Sequence, residues 1–257
     1  MFTILSYICG ILLKEIALLI GKDVRSLSTP RYRHEIKYVI DRFQMTQLDR
    51  RLSAVMTPDR HAGEDGTYFI RSLYFDNAQD KALKEKSLGL PRREKFRLRY
   101  YNLDPSYIRL EKKSKINRLT DKQSCLITKE ECERILAGDI AFLGTSDNEL
   151  MREFYAKMRL HGLIPKSVVD YTRKTFVCPI ADTRITLDYN IRSGIRATDF
   201  LNTDLATVPC DAAESEPNCI LEVKYNEFLP GHIAALLQTP DCRTSPFSKY
   251  EISRRFD

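Results

Sequence analysis

From about residue 31 the chain alternates polar and apolar residues over short runs. This is the signature of half-buried strands, because side chains two apart share a face. The pattern predicts strands near 31–41, 67–76, 93–101, 107–115, 123–127, 167–177, 183–192 and 218–225. Helical spacing is rarer. Leu48, Leu52, Val55 and Met56 share one face of 45–56, and 77–87 follows Asn77 as its N-cap. Thr128-x-x-Glu131 spells a capping box, with Gly138 to end that helix. Residues 148–161 carry Leu150, Met151, Phe154, Tyr155 and Met158 and stop at Gly162. About eight strands with helices between some of them predict an α+β protein built on an antiparallel sheet or barrel. Gly194 to Pro217 is the least regular stretch, turning acidic at Asp211, Glu214 and Glu216.

The beginning of the chain reads differently. Residues 2–20 are apolar but are split by Lys14 and Glu15, so the uninterrupted run is too short to span a bilayer comfortably. No charged segment precedes it and no small-residue cleavage site follows, which argues against a secretion signal. An interfacial helix touching a membrane, a packing helix and an upstream extension all fit. The expected organisation is an apolar extension and linker over 1–29 and one domain over 30–257.

Composition narrows the class. Hydrophobic residues make up 43% of the 257 and charged residues 30%, which suits a globular domain and excludes a disordered tail or a multi-span membrane protein. Lys+Arg exceed Asp+Glu by 41 to 35, a net charge of +6, which allows an anionic partner without identifying one. Seven cysteines without a C-x-x-C pair, and only four histidines, speak against a zinc cluster. Scattered thiols fit a reducing, cytoplasmic compartment. The common Gly-rich nucleotide loops are absent.

The distribution of charge over the strands is more informative. Arg33, Glu35 and Lys37 share one face of the first strand; Arg97 and Arg99 share one face of 93–101. Arg109, Glu111, Lys113 and Lys115 do so in 107–115, Arg184 and Asp188 in 183–192, and Glu222 and Lys224 in 218–225. Nine cations and four carboxylates thus lie on single faces of five strands, a net +5. One reading is the wetted outer face of an ordinary sheet. The other is a closed antiparallel barrel turned inside out, with its charges lining a tunnel and helices packed on its apolar exterior. Such a tunnel would concentrate polyanions, since guanidinium forks match phosphate oxygens and oxygen ligands suit Mg or Mn.

The segments RHEIKYVI (33–40), SLYFDN (72–77), KFRLRYY (95–101), RLEKKSK (109–115), DYTRKTF (170–176), RITLDYNI (184–191), ILEVKY (220–225) and FSKY (247–250) complete the picture. In this order they resemble the VTC-type polyphosphate polymerase domain, a branch of the CYTH-like triphosphate tunnel metalloenzymes. The resemblance implies a closed eight-stranded tunnel that transfers the γ-phosphate of ATP to a growing polyphosphate chain with Mn or Mg. It implies phosphate contacts by Lys37, Arg97, Arg99, Lys113, Arg184 and Lys249, with Lys122, Arg173, Lys224 and Arg109 as further candidates. Glu222 would be the metal carboxylate. Glu35 and Glu111 are read chiefly as ion-pair partners, and Asp188 as a metal neighbour or an arginine partner. The first strand reads R-x-E-x-K where CYTH relatives carry E-x-E-x-K, which sets aside a two-carboxylate metal site of that type.

The expected partners are ATP and polyphosphate, with a membrane-associated partner or interfacial contact through residues 2–20. Tyr100 and Tyr101 beside basic residues would suit base stacking, but barrel packing explains them equally well, and nucleic acid is not expected. A phosphohydrolase on the same scaffold and a non-catalytic polyphosphate- or inositol-phosphate-binding module are the alternatives.

Overall fold

The computed structural model describes residues 34–117, 119–210, 219–239, 244 and 246–255, all within the compact unit Tyr32–Asp257. The apolar extension 2–20, Arg33 and the acidic stretch 211–218 lie outside the described residues. In chain order the elements are β1 (His34–Ile40), α1 (Arg42–Ser53), β2 (Thr57–Pro58), β3 (Thr67–Asp76), α2 (Lys81–Ser87), β4 (Arg92–Tyr101), β5 (Asp104–Ile116) and β6 (Leu119–Ile127). There follow α3 (Lys129–Leu136), α4 (Ala141–Gly144), α5 (Glu149–His161), β7 (Ile164–Cys178), a 3-10 turn (Ile180–Asp182), β8 (Thr183–Ser193), β9 (Val208–Pro209), β10 (Cys219–Tyr225), α6 (Gly231–Leu236) and α7 (Lys249–Ser253). Each of the eight expected strands is present, several of them longer than the alternation indicated.

The local signals act as the physical chemistry requires. Thr128 Oγ1 accepts from the Glu131 backbone N–H while the Glu131 carboxylate accepts from the Thr128 N–H, closing the capping box. Gly138 and Gly162 follow their helices with φ of +81° and +64°, a conformation that a Cβ disfavours. Asn148 caps α5 by accepting from Leu150 N–H. Asn77 does not cap α2 directly: that helix starts at Lys81, and Asn77 Oδ1 accepts from the Lys81 N–H. A two-residue turn, Asn102 and Leu103 at φ +51° and +55°, joins β4 to β5, and Asn102 Oδ1 ties it to Phe69 N–H.

All strand pairings are antiparallel, in the order β1-β10-β8-β7-β3-β4-β5-β6. The sheet curls, but it does not close. The expectation of a closed barrel is therefore corrected: among the described residues β1 and β6, the two ends of this order, do not pair. Closure needs a free edge on β1, and there Tyr38 bridges to Thr244 of the C-terminal segment instead. A side-chain ion pair reaches across, from Lys113 of β5 to Glu35 of β1 at 2.7 Å.

The convex side is apolar and is covered by helices. Leu73, Phe75, Phe96, Leu98, Ile108 and Leu110 pack beneath α3, α4 and α5. Phe176, Ile185, Leu187, Leu221 and Val223 pack beneath α1 and α6. Cys219 is buried in this second core and Cys125 is partly buried against the first, as expected of small core residues. Phe154 of α5 is fully buried, edge-on to Phe75 at 5.0 Å and stacked on Phe96 at 5.3 Å. Phe154→Ala is expected to cost about 3–5 kcal/mol of unfolding free energy, from lost transfer energy and the cavity left behind. Urea denaturation of the variant would check it.

Candidate functional site

The pleat sends Glu35 and Lys37 (β1), Lys95, Arg97 and Arg99 (β4), and Glu111 and Lys113 (β5) to the side opposite the helix-covered cores. Lys122 (β6), Arg173 (β7), Asp188 (β8), and Glu222 and Lys224 (β10) join them there. The registers place Arg97 against Glu111, Lys113 against Lys122, Arg173 against Asp188 and Lys37 against Glu222. Lys249 enters from α7. These residues form three linked clusters on the concave face.

In the first, Glu111 is 2% exposed and holds three cations. Arg97 reaches it at 2.6 Å, Lys122 at 2.6 Å and Arg99 at 3.5 Å. Arg97 and Arg99 also donate to the Tyr74 and Tyr171 hydroxyls, and Arg99 donates to Ser72 Oγ. In the second, Lys37 lies 3.3 Å from Glu35 and 3.4 Å from Glu222, Lys113 Nζ donates to both carboxylate oxygens of Glu35, and Lys224 reaches Glu222 at 2.7 Å. In the third, Arg173 forms a fork on Asp188 at 2.6 and 2.7 Å, and Lys249 adds a contact at 2.5 Å. Arg173 also lies 4.0 Å from Glu222, which joins the second cluster to the third. The Tyr171 ring carries Lys249 at 4.5 Å and Arg173 at 5.5 Å, and Arg99 bonds its hydroxyl, which joins the third to the first.

Two of the sequence candidates stand apart. Arg184, 39% exposed, pairs with Asp59 and donates to Tyr68 OH, and Arg109 bonds Ser124 Oγ and lies over the Tyr107 ring. Both sit towards the end of the sheet where β4 finishes and β8 begins. The structure also adds residues that sequence reasoning missed. Lys95 shares the β4 face with Arg97 and Arg99, donates to Ser248 Oγ at 2.9 Å and lies over the Tyr250 ring. Tyr74 and Tyr171 look like core aromatics in an alternating strand, and only their hydroxyls reveal the polar role. Thr186 Oγ1, opposite Glu222 in register, is buried without a hydrogen-bond partner among the described residues.

The electrostatics follow from crowding. Burial pushes the Glu111, Asp188 and Glu222 carboxyls up, but the cations around each outweigh it and hold all three well below the usual carboxylate range. Burial pushes Lys37 down, and Glu222 and Glu35 more than reverse that. Other lysines are not rescued. Burial lowers Lys113 to about 8, assisted by the neighbouring Lys37 charge, and lowers Lys95 and Lys122 to about 8 against the pull of nearby anionic groups. Burial would raise Tyr74, but Arg97, Arg99 and Lys249 overcome it and bring the phenol down to about 8. Nine cations (Lys37, Lys95, Arg97, Arg99, Lys113, Lys122, Arg173, Lys224, Lys249) thus gather with four carboxylates (Glu35, Glu111, Asp188, Glu222). The excess of five positive charges makes an attractor for polyanions.

These shifts predict opposite pH responses for the free and the occupied protein. A lysine whose pKa falls on folding, from 10.5 to about 8, is more readily charged in the unfolded chain. It subtracts from stability near pH 7, and the deficit shrinks as pH rises through 8. A phenol lowered from 10.0 to about 8 also adds stability as pH rises through 8. Thermal melts between pH 7 and 9 should therefore show these groups raising the midpoint of the free protein. A polyphosphate that drew on these lysines should lose part of its extra stabilisation over the same range, because they discharge; adding tripolyphosphate to the melts checks this. An increment that stays constant with pH would contradict this assignment.

Comparison with known proteins places the chain. Residues 32–256 match the model of the VTC domain. No curated protein matches it. Among solved structures, it is similar to the PH1012 protein of Pyrococcus horikoshii OT3 at 12% identity, covering 86% of this chain and 98% of that one with a TM-score of 0.46. It is also similar to a conserved hypothetical protein of Pyrococcus furiosus at 13% identity, covering 86% and 99%, with a TM-score of 0.44. The match to the family model spans all of the described residues and takes in all three charge clusters, and the chain belongs to the VTC domain family.

Proposed function

We propose that the protein is an ATP-dependent polyphosphate polymerase, moving the γ-phosphate of ATP onto the end of a polyphosphate chain held on the concave face. The observation that carries this reading is the cation excess on that face, arranged around carboxylates that are already paired. Phosphoryl transfer asks mainly for positioning and for charge matching on the transferring group. Arg97, Arg99 and Arg173 are each fixed by a carboxylate and an aromatic neighbour, so their donors are oriented before a ligand arrives. Lys113 and Lys122, paired with Glu35 and Glu111, add point charges beside these guanidinium groups. The terminal phosphate of an acceptor chain is already anionic at neutral pH and needs no general base.

Among the described residues no group of three His, Cys, Asp or Glu side chains is placed to hold a metal ion. A divalent ion bound through substrate phosphates needs only one or two protein carboxylates, however. Glu222, with Glu35 across Lys37 and the unpartnered Thr186 Oγ1 opposite, fits that smaller demand. Mn or Mg held there would neutralise charge on phosphate oxygens.

Incubation with ATP and manganese, followed by a gel stained for polyphosphate, tests the reading. Chains should form, and Arg97→Ala should lower kcat/KM by roughly 100-fold, about 3 kcal/mol, as loss of one preorganised donor does. Free phosphate without chains would favour the hydrolase on the same scaffold. Tight polyphosphate binding with neither product would favour a binding module.

A further inference from the structure

The connection between α2 and β4 is an exposed apolar tip in a basic setting. Residues 81–93 read KALKEKSLGLPRR, five cations to one carboxylate. Gly89, at φ +67°, turns the chain just after the helix, so the leucines on either side of it point outwards. Leu88 is 74% exposed and Leu90 42%, and Pro91 is exposed beside them. Ile116 at the end of β5, opposite Arg92 in register and 52% exposed, extends the patch, and Asn117 N–H bonds the Pro91 carbonyl. A folded domain gains nothing by holding two leucines at the tip of a turn in water.

The charges around this tip are unusual in being unspent. Lys81 pairs with Glu85 and Lys86 with Glu251. Lys84, Arg92, Arg93 and Lys115 have no ion pair among the described residues; Arg92 and Arg93 open β4 right beside the tip, and Arg93 faces Lys115 on the side that also carries Lys95 and Lys113. An apolar point ringed by unpaired Lys and Arg is complementary to a surface that is negative outside and hydrocarbon inside. A protein groove would supply the apolar part, but it has no inherent reason to be anionic around it.

We propose that this tip docks on an anionic lipid surface, with Leu88 and Leu90 entering the headgroup–acyl boundary while Lys84, Arg92 and Arg93 meet the lipid phosphates. The inference stands apart from the proposed reaction and from the apolar extension at 2–20. The chain has no tryptophan, so one introduced at the tip is a clean reporter. In the full chain, Leu88→Trp should shift its emission to the blue with vesicles of phosphatidylserine and phosphatidylcholine. Brominated acyl chains should then quench it. Phosphatidylcholine alone should give little change, and the shift should weaken at about 1 M salt, where screening shortens the reach of charge to about 3 Å. Arg92→Glu with Arg93→Glu in the Leu88→Trp background should reduce vesicle affinity at least 10-fold. Phe228→Trp, just beyond β10 at the opposite end of the sheet, should stay in a water-like environment. A Trp at 88 that remains water-like on vesicles that bind the protein would overturn the proposal, whether another segment or a protein partner is responsible. Equal shifts at 88 and 228 would overturn it too.

Discussion

Too many like charges on one concave surface is the constraint on which the rest of this structure depends. A sheet that curls brings its inner side chains together, and here lysines and arginines outnumber the carboxylates among them, beside a buried cluster that includes Ile70, Val169, Tyr171 and Ile220. Four carboxylates keep the array assembled, each shared by at least two cations: Glu111 by Arg97, Arg99 and Lys122, Glu222 by Lys37 and Lys224, Glu35 by Lys37 and Lys113, Asp188 by Arg173 and Lys249. Taken alone, a buried ion pair is weak grounds for stability, because desolvation offsets most of its attraction. The array therefore makes most sense as a surface prepared for an added anion. The apolar convex face and its helices supply the folding energy that lets the concave face carry so much charge.

Much of this was legible in the alternation of the strands. Once Arg97 and Arg99 oppose Phe96 and Leu98, the two faces are chemically distinct whatever the sheet does. Which face turns inward is a tertiary matter, and alternation alone left a wetted outer face and a tunnel lining as rival readings. Helix ends were read from caps and glycines, at Thr128, Gly138 and Gly162, where the chemistry is local. α2 was placed too early, because Asn77 serves a turn ahead of the helix.

What alternation could not show has a common physical origin. Closure of a barrel is a property of backbone edges, and side-chain alternation carries no information about which strand covers the outer edge of β1. Thr244 lies in a stretch with no strand pattern of its own, so its bridge to Tyr38 had no signal in the chain. Lys249 opens a five-residue helix too short to show periodicity, and only the resemblance of FSKY drew attention to it. Arg184 and Arg109 carry the right charge on the right face but sit towards an end of the sheet, because position along a strand is not encoded by alternation. Tyr74 and Tyr171 went unnoticed because an aromatic ring in a strand is normally core, and their hydroxyls matter only where arginines converge on them.

The central idea is that the concave face, with its clusters around Glu111, Glu222 and Asp188, receives a chain of phosphates. A crystal structure of the protein with tripolyphosphate and manganese tests this most directly. Phosphate oxygens about 3 Å from the guanidinium and ammonium groups of Arg97, Arg99, Lys113 and Arg173 are the predicted result. Tripolyphosphate bound instead on the convex or rim surface, with the ion pairs of the concave face unchanged, would contradict the account.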